Sequence, residues 1–225
     1  MILITGASGV IGQYLLKNLN DVTGLYHDDC DLAVWKDVEK LDLDIEAIIH
    51  CANSGTYGRD YPGSVEKNIA MFVNLRRKFP NARIIAFGSG AMYDKSKPIV
   101  RAWENDDVVY PKDLYGLSKR LTVDLADVTL IPFGLYTDIR FISLAKQCIK
   151  RGEPVPIIQD VKFSWTTMEY LLDNVKWALR RGEGRYNLCE FDMTLTEVAK
   201  KLGAKEITYL REGMANEYTG SSRLR

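Results

Sequence analysis

Three residues near the middle of the chain have the types and spacing for proton chemistry. Tyr115 and Lys119 stand four apart in Tyr115-Gly116-Leu117-Ser118-Lys119, which on a helix puts phenol and ammonium on one face. A nearby cation favours phenolate and lowers a tyrosine from its usual pKa of about 10, so Tyr115 can serve as a general acid or base near neutrality. Ser89 follows the apolar run Ile84-Ile85-Ala86-Phe87 and is flanked by Gly88 and Gly90, an accessible hydroxyl just past a strand end. Such a hydroxyl can hold a substrate carbonyl or alcohol while Tyr115 moves the proton. Each feature alone also has a plainer reading: a surface Tyr and Lys at helical spacing, and a turn serine bonded to local backbone.

A second chemistry-bearing segment opens the chain. Gly6-Ala7-Ser8-Gly9-Val10-Ile11-Gly12 follows Ile2-Leu3-Ile4 and leads into Ile11, Leu15, Leu16 and Leu19, spaced as one helix face. Strand, glycine turn and helix in that order make a dinucleotide site. Glycine lets the backbone turn tightly and approach a pyrophosphate, and the helix N-terminus offers free N–H groups and partial positive charge. The spacing is G-x-x-G-x-x-G, a variant of the commoner G-x-G-x-x-G.

The elements that must position these groups follow from periodicity. Strands are predicted at Ile2–Ile4, Val22–Tyr26, Ala47–Cys51, Arg83–Phe87 and Thr129–Phe133, with helices at Ser64–Phe79 and Asp113–Val128 between them. Further on, helices are predicted at Ile139–Lys150, Thr167–Arg181 and Thr194–Leu202, and short strands at Tyr186–Cys189 and Ile207–Leu210. The alternation argues for an α/β fold, a doubly wound, Rossmann-like parallel sheet with helices on both faces. One domain over residues 1–225 is expected, with a small C-terminal appendage whose substrate-binding segments come mainly from 137–210. The polar tail Arg211–Arg225 is expected to be mobile unless a partner orders it.

Composition narrows the function classes. Thirty basic and thirty acidic residues cancel, so no net field recruits nucleic acid or an anionic membrane. No apolar run approaches the ~18 residues of a membrane span, and the first residues read as a strand instead of a signal peptide. Cys30, Cys51, Cys148 and Cys189 show neither a C-x-x-C pair nor regular spacing, so no metal site and no disulfide framework is expected, and a cytoplasmic location is.

Taken in order, these segments resemble the extended short-chain dehydrogenase/reductase family of nucleotide-sugar epimerases, dehydratases and reductases. Gly6 to Gly12 is similar to its nucleotide motif and Asp31-Leu32 to its adenine-contacting pair. His50-Cys51-Ala52-Asn53 is similar to its strand-end segment, Asn68 to its helix asparagine, and Leu130 to Tyr136 to its late strand. Ser89, Tyr115 and Lys119 fall at its catalytic positions. The resemblance implies a nicotinamide cofactor contacted by Gly6, Ser8, Gly9, Val10, Ile11, Gly12, Tyr26, His27, Asp31, Leu32, Cys51, Ala52, Asn53, Asn68 and Phe133, with Tyr115 and Lys119. It implies that Ser89 holds the reacting oxygen, that Lys119 binds the nicotinamide ribose and depresses Tyr115, and that hydride passes to or from the cofactor.

The departures from the pattern refine the expectation. The chain is short for this family, Ile131 replaces an arginine, and near Trp165 the local sequence Lys162-Phe163-Ser164-Trp165 lacks an arginine that grips nucleotide diphosphates. Lys162 is a candidate substitute. Gly90-Ala91 stands where dehydratases carry an Asp-Glu pair, and Gly88 to Lys95 is similar to the 3,5-epimerase/reductases but has Ala91 in place of their cysteine base. Keto reduction of a sugar, free or nucleotide-linked, is favoured. A 4-epimerase and a non-catalytic dinucleotide sensor are the alternatives. Tyr26 and His27 stand where an NAD enzyme places a carboxylate, with acids only at Asp28 and Asp29, so NADP is slightly favoured over NAD. The helices 64–79 and 113–128 lie where relatives pair as homodimers, and Met71, Leu75, Leu121 and Leu125 are the candidate apolar contacts.

Overall fold

Short β-branched runs that are apolar on both faces must be covered on both sides, and the computed structural model covers them so. It describes residues 1–55, 61–93, 95–106 and 111–224; Asp94 of the segment after Ser89 and Arg225 of the tail lie outside the described residues. Strands and helices are numbered along the chain. Strand β1 (Ile2–Thr5) pairs in parallel with β2 (Val22–Leu25) on one side and β3 (Ala47–His50) on the other, Ile2 opposite both Val22 and Ala47. With β4 (Arg83–Phe87), β6 (Val128–Pro132) and β10 (Gly184–Leu188) they form a six-stranded parallel sheet ordered β10-β6-β4-β3-β1-β2. Helix α3 (Ser64–Lys78) lays Phe72 and Leu75 against Leu3, Ile48 and Ile84 on one face. Helices α1 (Val10–Asn18) and α6 (Met168–Arg180) lay Leu15, Leu171 and Val175 against Ile4, Ile49 and Ile85 on the other. Helix α2 (Trp35–Val38) packs beside α3. This is the doubly wound arrangement expected.

A second sheet stands beyond the carboxyl ends of these strands. It is ordered β11-β9-β13-β5, from Phe191–Thr194, Asp160–Thr166, Met214–Gly220 and Ile99–Ala102, with β7 (Gly134–Leu135) pairing β9. Strands β8 (Val155–Ile157) and β12 (Ile207–Tyr209) form a two-stranded parallel ribbon near α5 (Arg140–Arg151) and α7 (Leu195–Lys201). Thr194 starts α7 with a reciprocal capping box to Glu197.

Three expectations are corrected. The tail is not a loose end: β13 runs parallel between β9 and β5, with Tyr218 opposite both Phe163 and Ile99. Thr219 is fully buried there and accepts the Arg101 N–H at 2.9 Å. The helix α4 carrying Tyr115 runs Leu114–Thr122 and stops six residues short of the predicted end. Residues 124–127 turn so that the Asp127 carboxylate can accept from Ile84 N at 2.7 Å and Arg76 at 2.9 Å, which launches β6 one residue early. Met71 and Leu75 sit in this chain's own core, leaving only Leu121 and Leu125 of the four candidate dimer contacts exposed.

Candidate active site

The glycine loop makes a cradle that no side chain could share. Gly6 has φ +62, and a Cβ there would stand 2.5 Å from Ala52 N; a Cβ on Gly12 would stand 2.4 Å from Gly6 O. β1, the loop and α1 are thereby pressed against the end of β3. The space above is a cavity of about 430 Å³ lined by Gly6, Ser8, Gly9, Tyr26, His27, Asp31, Leu32, Cys51, Ala52 and Asn53 from the expected set. Cys30, Ser54 and Lys67 also line it. Asp28 and Asp29 do not, whereas Asp31 does, with one oxygen accepting Ala33 N at 2.9 Å.

A second cavity, about 450 Å³, continues from the first through Cys51 and Asn53, which line both. It gathers Ser89, at the turn after β4, with Tyr115 and Lys119 of α4, and with Ile11 and Phe133 of the expected cofactor set. Two cavities joined end to end suit an extended ligand with a group in each, and the glycine cradle suits its pyrophosphate, so the residues present fit a nicotinamide dinucleotide.

Each reactive side chain is held by identifiable contacts. Asp113 caps α4, accepting Gly116 N at 2.8 Å and pairing with Lys95 at 2.5 Å. Burial alone would raise its carboxyl, but those hydrogen bonds and the lysine charge override it and hold the group below its usual range. Gly116 lets α4 lie on the turn after Ser89: a Cβ there would stand 2.5 Å from Ala91 O. Ser89 caps the 3₁₀ turn Gly90–Met92, and its Oγ accepts Ala91 N at 3.2 Å. That is the local bond of a turn serine, and it leaves the hydroxyl proton to be donated into the cavity. Lys119 donates from Nζ to Phe87 O at 2.9 Å, two residues before Ser89, with its Nζ 5.9 Å from the Tyr115 ring centre.

The electrostatics separate groups that can change charge from those that cannot. Burial lowers the Lys119 ammonium to about 8, against a smaller opposing influence from Cys51. Burial pushes the Cys51 thiol up to about 12, so it stays a neutral thiol in the floor of both cavities. Burial, with the Lys119 charge, lowers His50 to about 3. His50 is therefore a neutral imidazole, its Nδ1 2.8 Å from Thr5 Oγ1, and no proton donor for the reaction.

Val10, Gly12 and Asn68 line neither cavity. Asn68 is buried and braces the site from behind, accepting Ser54 N at 2.8 Å and donating to Ser118 Oγ at 2.7 Å, which links the β3–α3 loop to α4. Lys162 is 3.8 Å from Glu217 and does not line the second cavity. Among the lining residues not singled out from the sequence are Lys67 and Tyr218, and, within the 137–210 segments expected to bind substrate, Arg140 and Trp165. Arg140 has φ +47, a conformation uncommon for a side-chain-bearing residue, and that torsion leaves no mark in the sequence.

Several solved structures share this fold. The dTDP-4-dehydrorhamnose reductase from Bacillus anthracis, solved with NADP, aligns with TM-score 0.82 at 17% identity over 99% of this chain and 89% of its own. A hypothetical dTDP-4-dehydrorhamnose reductase from Sulfolobus tokodaii aligns with TM-score 0.82 at 20% identity, covering 98% and 92%. The UDP-N-acetylglucosamine 4-epimerase from Bacillus cereus aligns with TM-score 0.75 at 17% identity, covering 98% and 86%. No curated protein sequence matches the chain significantly. The model of the NAD dependent epimerase/dehydratase family matches residues 2–129. Because that match spans more than half of its residues, the chain belongs to the NAD dependent epimerase/dehydratase family.

Proposed function

We propose that the protein is a reductase that uses NADP in preference to NAD and acts on the carbonyl of a nucleotide-linked keto sugar. The observation that carries this is the convergence of Ser89, Tyr115 and Lys119 on one cavity continuous with the glycine cradle. A bound nicotinamide supplies the hydride; the chain's own residues supply binding and the proton. Gly6, Ser8 and Gly9 present backbone to the pyrophosphate, and Lys67 adds a positive charge to that cavity. Ser89 donates to the carbonyl oxygen, and Tyr115 gives that oxygen its proton as it becomes an alcohol. Lys119 holds its charge beside the phenol so that the proton-depleted tyrosine is tolerated.

A nucleotide-linked substrate is supported by the charges of the second cavity. Among the described residues it is lined by two cations, Lys119 and Arg140, and by no carboxylate. Lys119 is committed to the chemistry, so Arg140 is the group to meet a phosphoryl oxygen. NADP is supported by Tyr26 and His27 at the end of β2, with Asp31 part-occupied by Ala33 N. A homodimer through the exposed Val73 of α3, Leu121 of α4 and Leu125 just after it, and a cytoplasmic location consistent with four free cysteines, complete the proposal. Among the described residues no helix is long and apolar enough to cross a membrane.

The test is oxidation of NADPH, followed by absorbance, against a panel of UDP-, GDP- and dTDP-linked keto sugars, with Tyr115→Phe as control. The variant should lose roughly 10²–10⁴-fold in kcat and keep its affinity for NADPH. Variant activity within about threefold of wild type would remove Tyr115 from the mechanism. Cofactor that co-purifies as tightly bound NAD, with sugar epimerised and no net NADPH consumed, would identify a 4-epimerase instead. Tyr26→Asp should turn cofactor preference toward NAD, because a carboxylate there accepts the ribose hydroxyls. Sedimentation showing only a 25.5 kDa species at micromolar concentration would remove the dimer.

A further inference from the structure

Helix α4 lies along the segment that leaves β4, and contacts between them recur in register. At one end Lys119 Nζ donates to Phe87 O at 2.9 Å. One turn back, Gly116 packs so closely that a Cβ on it would stand 2.5 Å from Ala91 O. One turn further back, at the N-cap, the Asp113 carboxylate meets Lys95 Nζ at 2.5 Å. Residues 119, 116 and 113 of the helix side thus meet residues 87, 91 and 95 of the segment. Ser89 and Tyr115 both fall within this seam.

The contact at Lys95 is the one that can be removed without touching the reacting groups. Lys119 belongs to the chemistry and Gly116 acts by having no side chain, whereas Lys95 and Asp113 line neither cavity. Asp113 divides its carboxylate between two tasks. Its Oδ1 accepts Gly116 N at 2.8 Å and caps the helix, and its Oδ2 takes Lys95. The two side chains are 25% and 32% exposed, so solvent and salt screen the pair less than a surface one. An ammonium and a carboxylate at this separation form a charge-assisted hydrogen bond, which fixes direction as well as distance. It closes the end of the seam where α4 starts, and Tyr115 is the second residue of that helix.

We propose that Lys95 is a positioning residue: through Asp113 it fixes the first turn of α4 against the segment after Ser89, and so aligns the Tyr115 hydroxyl with the oxygen that Ser89 holds. The inference rests on the reductase reading above and deepens it. Without the pair the seam is held only from Gly116 onward, and Tyr115 lies on the free side of that point. Proton transfer depends on the placement that is then lost, whereas the walls of both cavities keep their residues.

The experiment compares wild type, Lys95→Met, Lys95→Arg, Asp113→Asn and the double variant Lys95→Met/Asp113→Asn in NADPH oxidation with a keto sugar that wild type turns over. Asparagine keeps an oxygen for the cap but turns an amide N–H toward the ammonium, so Asp113→Asn loses the pair and retains the helix start. Lys95→Met and Asp113→Asn should each lower kcat roughly 10-fold, short of the ~10²-fold that a misplacement of about 1 Å costs. The double variant should fall no further than either single one, because the same contact is lost in all three. Lys95→Arg, which keeps a charged donor, should restore most of kcat. KM for the sugar and the affinity for NADPH should stay at wild-type values, and kcat is counted per NADPH-binding site so that unfolded protein does not register as a catalytic loss. Wild-type kcat in Lys95→Met, losses that multiply in the double variant, or a loss that appears in KM or NADPH affinity instead of kcat overturns this inference alone. A wild type inert on every keto sugar tried overturns the reductase reading, and this inference with it.

Discussion

At the scale of single residues, two buried bases make opposite predictions about pH. Lys119 is an amine whose positive charge the proposed mechanism needs, and burial lowers it to about 8. Its loss of a proton should therefore bring kcat/KM down as pH rises through about 8, since this ratio reports groups of the free enzyme. A profile flat to pH 10 would show that Lys119 keeps its charge or does not matter. His50 bears instead on stability. Its folded value, about 3, lies below the unfolded value of 6.5, so the unfolded chain binds the extra proton between those limits. The stabilising contribution is complete above pH 6.5 and is lost as pH falls toward 3. Between pH 7 and 4.5 the unfolding free energy should drop by about 2 kcal/mol from this residue. Urea titrations at the two pH values measure it, and a drop unchanged in His50→Asn would assign the loss elsewhere.

At the scale of elements, the active site depends on how closely α4 lies against the turn that begins at Ser89. Gly116 sets that distance, with Asp113 capping the helix start and Asn68 tying Ser118 to the β3–α3 loop. Gly116→Ala places a methyl 2.5 Å from Ala91 O, backbone that cannot rotate away, so α4 must shift and carry Tyr115 with it. Displacements of this kind cost on the order of 10²-fold in rate. We expect such a loss in kcat with NADPH affinity little changed, as measured by fluorescence titration; unaltered kcat would mean that the two elements are not held together during turnover. Asp113→Ala should cost about 1 kcal/mol of stability through the lost cap. Denaturant unfolding checks this.

At the scale of the whole molecule, the terminal strand is the tie between the two sheets' chemistry. β13 is interior to its sheet, with β9 and β5 on its flanks, and Glu104 anchors the residues after it. Hydrogen exchange should therefore show amides in 216–220 protected to a degree similar to those of β9, against the rapid exchange expected of a chain end. Uniformly fast exchange there would contradict the sheet order. Removal of residues 214–225 should strip the wall bearing Tyr218 from the substrate cavity and leave two strand edges open, giving an aggregation-prone product.

Sequence by itself determined what is local. The strand, glycine turn and helix from Ile2 to Asn18, the pairing of Tyr115 with Lys119 on one helix face, and Ser89 past the end of β4 are all written in period and turn chemistry within a few residues. Tertiary structure decided what depends on distant partners. The polar segment Asn216-Glu217-Tyr218-Thr219 has no apolar alternation to announce a strand, and becomes one because β5 and β9 offer ladders on both sides. Helical spacing in α3 is the same whether Met71 and Leu75 face a partner or this chain's own sheet, and only packing chose the sheet. Arg140 reaches the substrate cavity from a backbone torsion, and Asn68 acts through Ser118, 50 residues away along the chain. Local pattern states which chemistry the chain can perform; the folded arrangement of remote segments decides which substrate it meets.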